Sequence, residues 1–307
     1  MKRQLLHNPW VNTLLTALAP LIWGSTYIVT TELLPADRPF IAAMLRVLPA
    51  GLLLVLCCRQ LPLRQDWGRL LVLAALNIGA FQALLFVAAY RLPGGLAAVV
   101  GAIQPLLLMA LLWGLEGRRP AQLAIAASVL GMVGMAALLL SPDSHWDSLG
   151  IAAAFIGMAC MALGTYLTQR WQTSLSLLPF TGWQLLLGGL MLLPPALLLD
   201  PPLPALSLAQ GLGYAYLSLF GALLAYLLWF RGIARLSPVA VSSLSLLSPV
   251  TAVLIGWALL DERITGVALI GLLTVLGSIL LVQRAALANA PAPACDTPLP
   301  PQPRSAP

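Results

Sequence analysis

Long apolar runs, separated by short clusters of proline and charge, set the rhythm of this chain. Ten runs stand out, at about 11–33, 40–58, 68–90, 94–114, 121–140, 149–170, 179–199, 209–230, 238–260 and 264–283. A helix rising ~1.5 Å per residue needs about 20 residues to cross ~30 Å of hydrocarbon, and the runs are of that length. The breaks between them read LLPADRP, RQLPLRQD, EGRRP, SPDSHWD, LDPPLP and DER. The runs are continuously rich in Leu and Ala and do not alternate, so they predict helices and not the strands of a barrel. No break is long enough to hold a soluble domain. The pattern predicts an all-α integral membrane protein with ten transmembrane helices.

Composition agrees. Of 307 residues, 60% are hydrophobic and 8% are charged, where a soluble domain carries about 25% charged residues. Mean hydropathy is +0.93. Such a chain has too little polar surface to face water on all sides. The net charge of +6 does not point to nucleic acid, because the basic residues sit in the breaks. If the N-terminus is cytoplasmic, twelve Lys and Arg fall on the inner side and three (Arg38, Arg91, Arg263) on the outer side, with Arg46 inside the second run. That asymmetry places both termini in the cytoplasm. Residues 1–10 read as a cytoplasmic N-terminus ahead of a retained first helix, with no clear cleavage site. Residues 284–307, ending PLPPQPRSAP, read as a disordered cytoplasmic tail. Cys57, Cys58, Cys160 and Cys295 show no metal or disulfide spacing.

The chain also repeats itself. Arg91 to Pro105 reads RLPGGLAAVVGAIQP, and Arg235 to Pro249 reads RLSPVAVSSLSLLSP. Each is followed by a tryptophan eight residues on, Trp113 and Trp257. Gly24-Ser25-Thr26-Tyr27 echoes Gly164-Thr165-Tyr166, and Glu116 echoes Glu262. Five runs separate the copies. Five is odd, so the second copy enters the membrane from the opposite side. This predicts two inverted five-helix repeats, over 11–140 and 141–283, around a central cavity, an arrangement many secondary transporters use.

Pro105 and Pro249 fall near the middle of their runs. Each removes an amide donor and crowds the carbonyl four residues back, at Gly101 and Ser245. In lipid a freed carbonyl needs a partner or a wet cavity, so paired helix kinks point to a central site. Polar and aromatic residues near mid-run supply its candidate lining: Trp23, Tyr27, Asn77, Gln82, Gln104, Tyr166, Gln184, Tyr226, Ser245 and Ser248. Amides and hydroxyls can hold a zwitterion without a permanent buried charge, and aromatic faces can pack on its apolar part. For the serines, close helix packing is the competing account. Arg46 either satisfies itself structurally, by reaching outward or pairing with a carbonyl or Glu32, or attracts a substrate carboxylate. No Asp or Glu lies at the centre of any run, which argues against coupling through a buried acid. Glu32, near a run end, is the one residue that could change this. His7 and His145 lie outside the runs, and no metal-ligand cluster, activated nucleophile or phosphate loop is present. The chain therefore reads as a non-enzyme with no cofactor and no metal site.

WGSTYIV in the first run, FIAAMLRVLPAG in the second, the Pro105 and Pro249 segments, and the ends WGLEGR and WALLDER resemble the EamA-type transporters of the drug/metabolite transporter superfamily. The resemblance covers about 11–283. It implies a bacterial inner-membrane carrier, commonly an exporter of amino acids or related metabolites. It also implies a basket in which the first four helices of each half surround a cavity and the fifth and tenth pack at the periphery, a role that suits Gly131, Gly134, Gly271 and Gly277. The substrate does not carry over: sugars, nucleotide precursors and drugs stay open, as does a non-transporting scaffold or sensor. A small molecule and the bilayer are the partners implied, and the chain is either a monomer or a homodimer.

Overall fold

Without water in the hydrocarbon, an apolar segment can satisfy its backbone only internally or against neighbouring segments. The computed structural model describes residues 9–92, 94–139, 147–171, 173–259 and 266–288. Ten helices among them are long and apolar enough to cross a membrane: α1 (Pro9–Thr30), α2 (Pro39–Cys58), α3 (Arg64–Leu85), α4 (Ala98–Glu116), α5 (Gln122–Leu139), α6 (Ser148–Arg170), α7 (Leu177–Leu198), α8 (Leu208–Ile233), α9 (Pro238–Leu259) and α10 (Val267–Ala286). Each predicted run corresponds to one of them. α3 opens with a 3-10 turn at Arg64 and its helix continues to Arg91. Local chemistry sets several starts. Pro39 and Pro238 occupy the first turns of α2 and α9, where no amide donor is needed. The Asp147 carboxylate accepts from the Leu149 amide at the head of α6, and Ser207 forms a capping box with Gln210 at α8. Most of the expected N-terminal segment and tail, the expected outer charge Arg263, and Glu262, the echo of Glu116, lie outside the described residues.

The connections sort into two ends, as ten passes require. At one end the Asp66 carboxylate accepts from the Ser174 amide (3.0 Å) and hydroxyl (2.6 Å). Trp183 Nε1 donates to the Gln60 carbonyl there (3.0 Å), and Arg231 donates to Asn12 Oδ1 (2.9 Å). At the other end the Asp200 carboxylate accepts from the Ile41 amide (2.6 Å). Arg91 pairs with Asp147 at that same end (3.2 Å).

Two helix pairs make the closest approaches. Gly51 lies against the backbone of Leu185 and Leu186, Gly182 against Leu54, and Gly189 against Leu48. The numbers run in opposite senses, so α2 and α7 are antiparallel. A Cβ added to Gly51 would overlap the Leu186 amide nitrogen. α5 and α10 follow the same rule: Gly131 faces Ser278, Gly134 faces Thr274, and Gly271 faces Ala137 and Leu138. Small residues let these backbones meet. Gly277 differs from expectation. No atom lies within 4 Å of the place its Cβ would take, and Ser278 holds the contact instead. α1 packs on α8 and α9, while α6 packs on α3 and α4. The opening helix of each five-helix stretch thus crosses to the other stretch.

Among the described residues, four departures from α geometry lie inside the bundle. α3 carries a π-helical segment at Ala75–Gly79 and α8 another at Leu217–Leu224. α4 breaks at residues 102–103 and α9 at 245–246, each just ahead of its proline. The Ser245 carbonyl, which Pro249 cannot serve, accepts instead from the Ser248 amide (3.0 Å). The four departures form two pairs, one member in each five-helix stretch.

Candidate functional site

The π segment of α8 aims the Gly221 carbonyl across the bundle. A π turn widens the helix and loosens its i→i−4 ladder, which frees backbone groups for other partners. Gly221 O accepts from Trp23 Nε1 of α1 (2.9 Å) and from an Arg46 Nη of α2 (3.0 Å). Arg46 is buried, so this carbonyl gives the guanidinium inside the second run a partner within the protein. Trp23 also packs on Tyr226 and Trp229, each with ring centroids 5.2 Å away. Gln82 Nε2 of α3 donates to the Tyr226 hydroxyl (3.3 Å). Four helices, three from the first stretch and α8 from the second, therefore converge on one polar and aromatic cluster.

A second cluster adjoins it along α3. Asn77 lies in that helix's π segment and donates through Nδ2 to Gln184 Oε1 of α7 (2.9 Å) and to Thr168 Oγ1 of α6 (3.1 Å). Gly164 makes room, since a Cβ there would overlap Asn77 Oδ1. Relative exposure is 1% at Asn77 and Gln82, 2% at Gln104 and 0% at Gln184. Despite that burial, Asn77 Oδ1, Gln82 Oε1, Gln104 Nε2, Gln184 Nε2, Thr165 Oγ1 and Trp229 Nε1 lack a hydrogen-bond partner among the described residues. Buried polar groups are nearly always paired, and each exception calls for an explanation, a binding role among them. The unpaired set mixes acceptors (two amide oxygens) with donors (two amide NH₂ groups and an indole N–H), a combination suited to a molecule bearing both kinds of group.

Of the predicted residues, the structure brings Trp23, Gln82 and Tyr226 into one cluster and Asn77 and Gln184 into the next. Gln104 is buried where α4 resumes after its break. Tyr166 packs with Leu108 and Ala162 between α4 and α6, an apolar setting. Ser245 and Ser248 sit half-buried at the break of α9. The Ser245 hydroxyl donates back to the Ser242 carbonyl (2.6 Å), and the Ser248 carbonyl faces Gly24 of α1. Pro105 and Pro249 sit at the two breaks. The Tyr27 side chain lies outside the described residues. Glu32 is exposed near the end of its helix. Residues not among the predicted lining also belong here: Arg46, Thr26, Thr168, Trp229 and the Gly221 carbonyl. The charge at Arg46 was a readable signal. The carbonyl was not, because no residue type announces a π segment.

Two cavities lie away from these clusters. One of about 620 Å³ is bounded by α4, α5 and α6 and lined by Val99, Ile103, Met132 and Phe155 among others. One of about 720 Å³ opens at the end of the bundle where α1 begins. The described members of the predicted lining face neither.

Known proteins place the chain. The EamA-like transporter family matches it twice, over residues 11–140 and 148–284. Protein PecM of Dickeya dadantii is 42% identical over 267 residues, which cover 86% of this chain and 90% of that protein. The uncharacterized inner membrane transporter YedA of Escherichia coli K12 is 28% identical, covering 85% of this chain and 87% of its own length. A crystal structure at 20% identity superposes with a TM-score of 0.76 over 90% of this chain and 98% of its own, a likeness of fold. The chain is a multi-pass membrane transporter and belongs to the EamA-like transporter family.

Proposed function

We propose that the chain exports small metabolites, amino acids or their derivatives, across a bacterial inner membrane by alternating access, acting as a carrier and not as an enzyme. The observation that carries this reading is the central set of buried, unpaired amide, hydroxyl and indole groups beside Arg46, Trp23 and Tyr226. A zwitterion offers a carboxylate to the guanidinium and to the amide donors of Gln104 and Gln184, an ammonium to the amide oxygens of Asn77 and Gln82, and an apolar portion to the aromatic faces. Trp23, Tyr27, Asn77, Gln82, Gln104, Tyr166, Gln184, Tyr226, Ser245 and Ser248 remain the proposed lining, to which Arg46 and Trp229 are added. The buried guanidinium and the lack of an acid among these residues disfavour an organic cation as cargo.

In this reading, residues 11–140 and 141–283 are halves of opposed topology that rock about the contact of α2 with α7. The antiparallel pairing of α2 with α7 and of α5 with α10 supports this, as do the matched π segments and proline breaks. Both termini face the cytoplasm, the side holding most Lys and Arg. The π segments and breaks are the places where helices already depart from regular bonding, so they can bend at least cost.

Counterflow into proteoliposomes is the test. Vesicles loaded with an unlabelled amino acid should transiently accumulate the labelled one. No overshoot across a panel of neutral and acidic amino acids would remove the substrate assignment, and none with other metabolites would remove the carrier reading.

A further inference from the structure

The cavity of about 720 Å³ lies apart from the central clusters, and its chemistry is different. Arg118 and Arg119 of the α4–α5 connection and Arg235 of the α8–α9 connection line it, and no Asp or Glu among the described residues does. Its walls are apolar, with Met109 and Leu112 from α4 and Val239 from α9. Arg118 Nε is bridged to Glu116 Oε2 (3.1 Å), which engages one of the five guanidinium donors. Three cations from two separate connections thus converge on one chamber whose wall is hydrocarbon. The polar wall groups nearest α10 are already committed: Gln283 donates to the Ala240 carbonyl (2.8 Å) and to Ser243 Oγ (3.0 Å). The cavity thus presents guanidinium at its exposed rim and aliphatic side chains within.

We propose that this cavity binds a phosphate-bearing ligand, with Arg118, Arg119 and Arg235 taking the phosphate oxygens and the Met109, Leu112 and Val239 wall taking hydrocarbon. Arginine suits this because its planar fork offers paired donors to phosphate. Basic pockets between transmembrane helices hold anionic lipid headgroups by the same chemistry. The assignment does not depend on what the central clusters carry.

The two sources of such a phosphate, a membrane lipid and a free phosphate ester, are separated by probe. The full chain in neutral detergent is titrated with dioctanoyl phosphatidylglycerol, with glycerol 3-phosphate and with dioctanoyl phosphatidylcholine. Thermal stability and native mass spectrometry report binding. The proposal expects saturable stabilisation by phosphatidylglycerol over phosphatidylcholine. Stabilisation by glycerol 3-phosphate as well marks a site for free phosphate esters. Its absence marks a lipid site. Affinity should weaken about tenfold for each arginine changed to glutamine. Arg59→Gln with Arg64→Gln, which removes two exposed charges at the same end, should leave binding unchanged. Equal response to phosphatidylcholine and phosphatidylglycerol, or equal loss in the Arg59/Arg64 control, overturns the proposal. If a variant carrying all three changes does not purify, Arg235→Gln alone is read the same way.

Discussion

Replacing Asn77 by leucine separates a structural role from a binding role. Asn77 Nδ2 serves Gln184 Oε1 and Thr168 Oγ1, and Gln184 Nε2 already lacks a partner. The Asn77→Leu change leaves the whole Gln184 amide unpaired in a fully buried place. An orphaned buried polar group costs about 1–3 kcal/mol in soluble proteins, while side-chain bonds between transmembrane helices average ~0.6 kcal/mol. The expected loss of stability is therefore about 1–2 kcal/mol, readable by reversible unfolding in mixed micelles. If the cargo bonds to Asn77 Oδ1, exchange should also fall. About 2 kcal/mol lost from the transition state lowers the rate roughly thirtyfold. The second variant decides between the roles. Asn77→Leu with Gln184→Leu removes both polar partners, and replacing both by apolar groups is nearly neutral for stability. The double variant should regain most of the stability and none of the exchange. Recovery of exchange along with stability would refute the assignment of these amides to the cargo, because only packing would then have been at stake.

Further expectations follow from other contacts. Gly51→Leu drives a side chain into the Leu186 backbone and should abolish monodisperse protein on gel filtration, whereas Gly277→Ala, which meets open space, should behave as the parent. Arg91, by hydrogen bonding, holds the Asp147 carboxyl below its usual value. A depressed folded pKa means stability is present above the unfolded value, about 3.9, and is lost as pH falls through the folded one. Asp147→Asn should therefore flatten the fall in melting temperature expected below about pH 4, and an unchanged profile would show that the pair contributes nothing. Membrane-impermeant thiol reagents should label an Arg119→Cys variant only from the cytoplasmic side and an Ala36→Cys variant only from the outside.

The apolar runs made the ten helices legible because burial in lipid leaves so few alternatives. Pro105 and Pro249 likewise located both breaks, since a missing amide has a fixed consequence four residues back. The π segments at Ala75–Gly79 and Leu217–Leu224 were hidden. They are register changes in the backbone, and residues such as Leu, Gly and Ala fit either register. With them went the Gly221 carbonyl, and so the partner of Arg46. Asn77 and Gln184 were legible as costly buried amides, but nothing in their spacing, 107 residues apart, says that they bond to each other. That follows only from the packing of α3 on α7, where Gly188 lies against Ile78 and Ala74. Tyr166 looked like Tyr226 in the sequence, yet one sits among leucines and the other among Trp23, Gln82 and Trp229. A side chain's surroundings depend on helix rotation, which ten uniformly apolar helices encode weakly.

The central claim is that the cluster around Gly221 opens to each side of the membrane in turn. Thiol accessibility at Thr26, whose hydroxyl lies buried in that cluster without a partner among the described residues, tests it most directly. In a variant carrying Thr26→Cys and alanine at positions 57, 58, 160 and 295, small charged thiosulfonates should react from both faces of the membrane. Saturating cargo should protect the thiol or shift the balance between faces. A thiol that reacts from neither face, or from one face only whatever solute is present, would contradict the account.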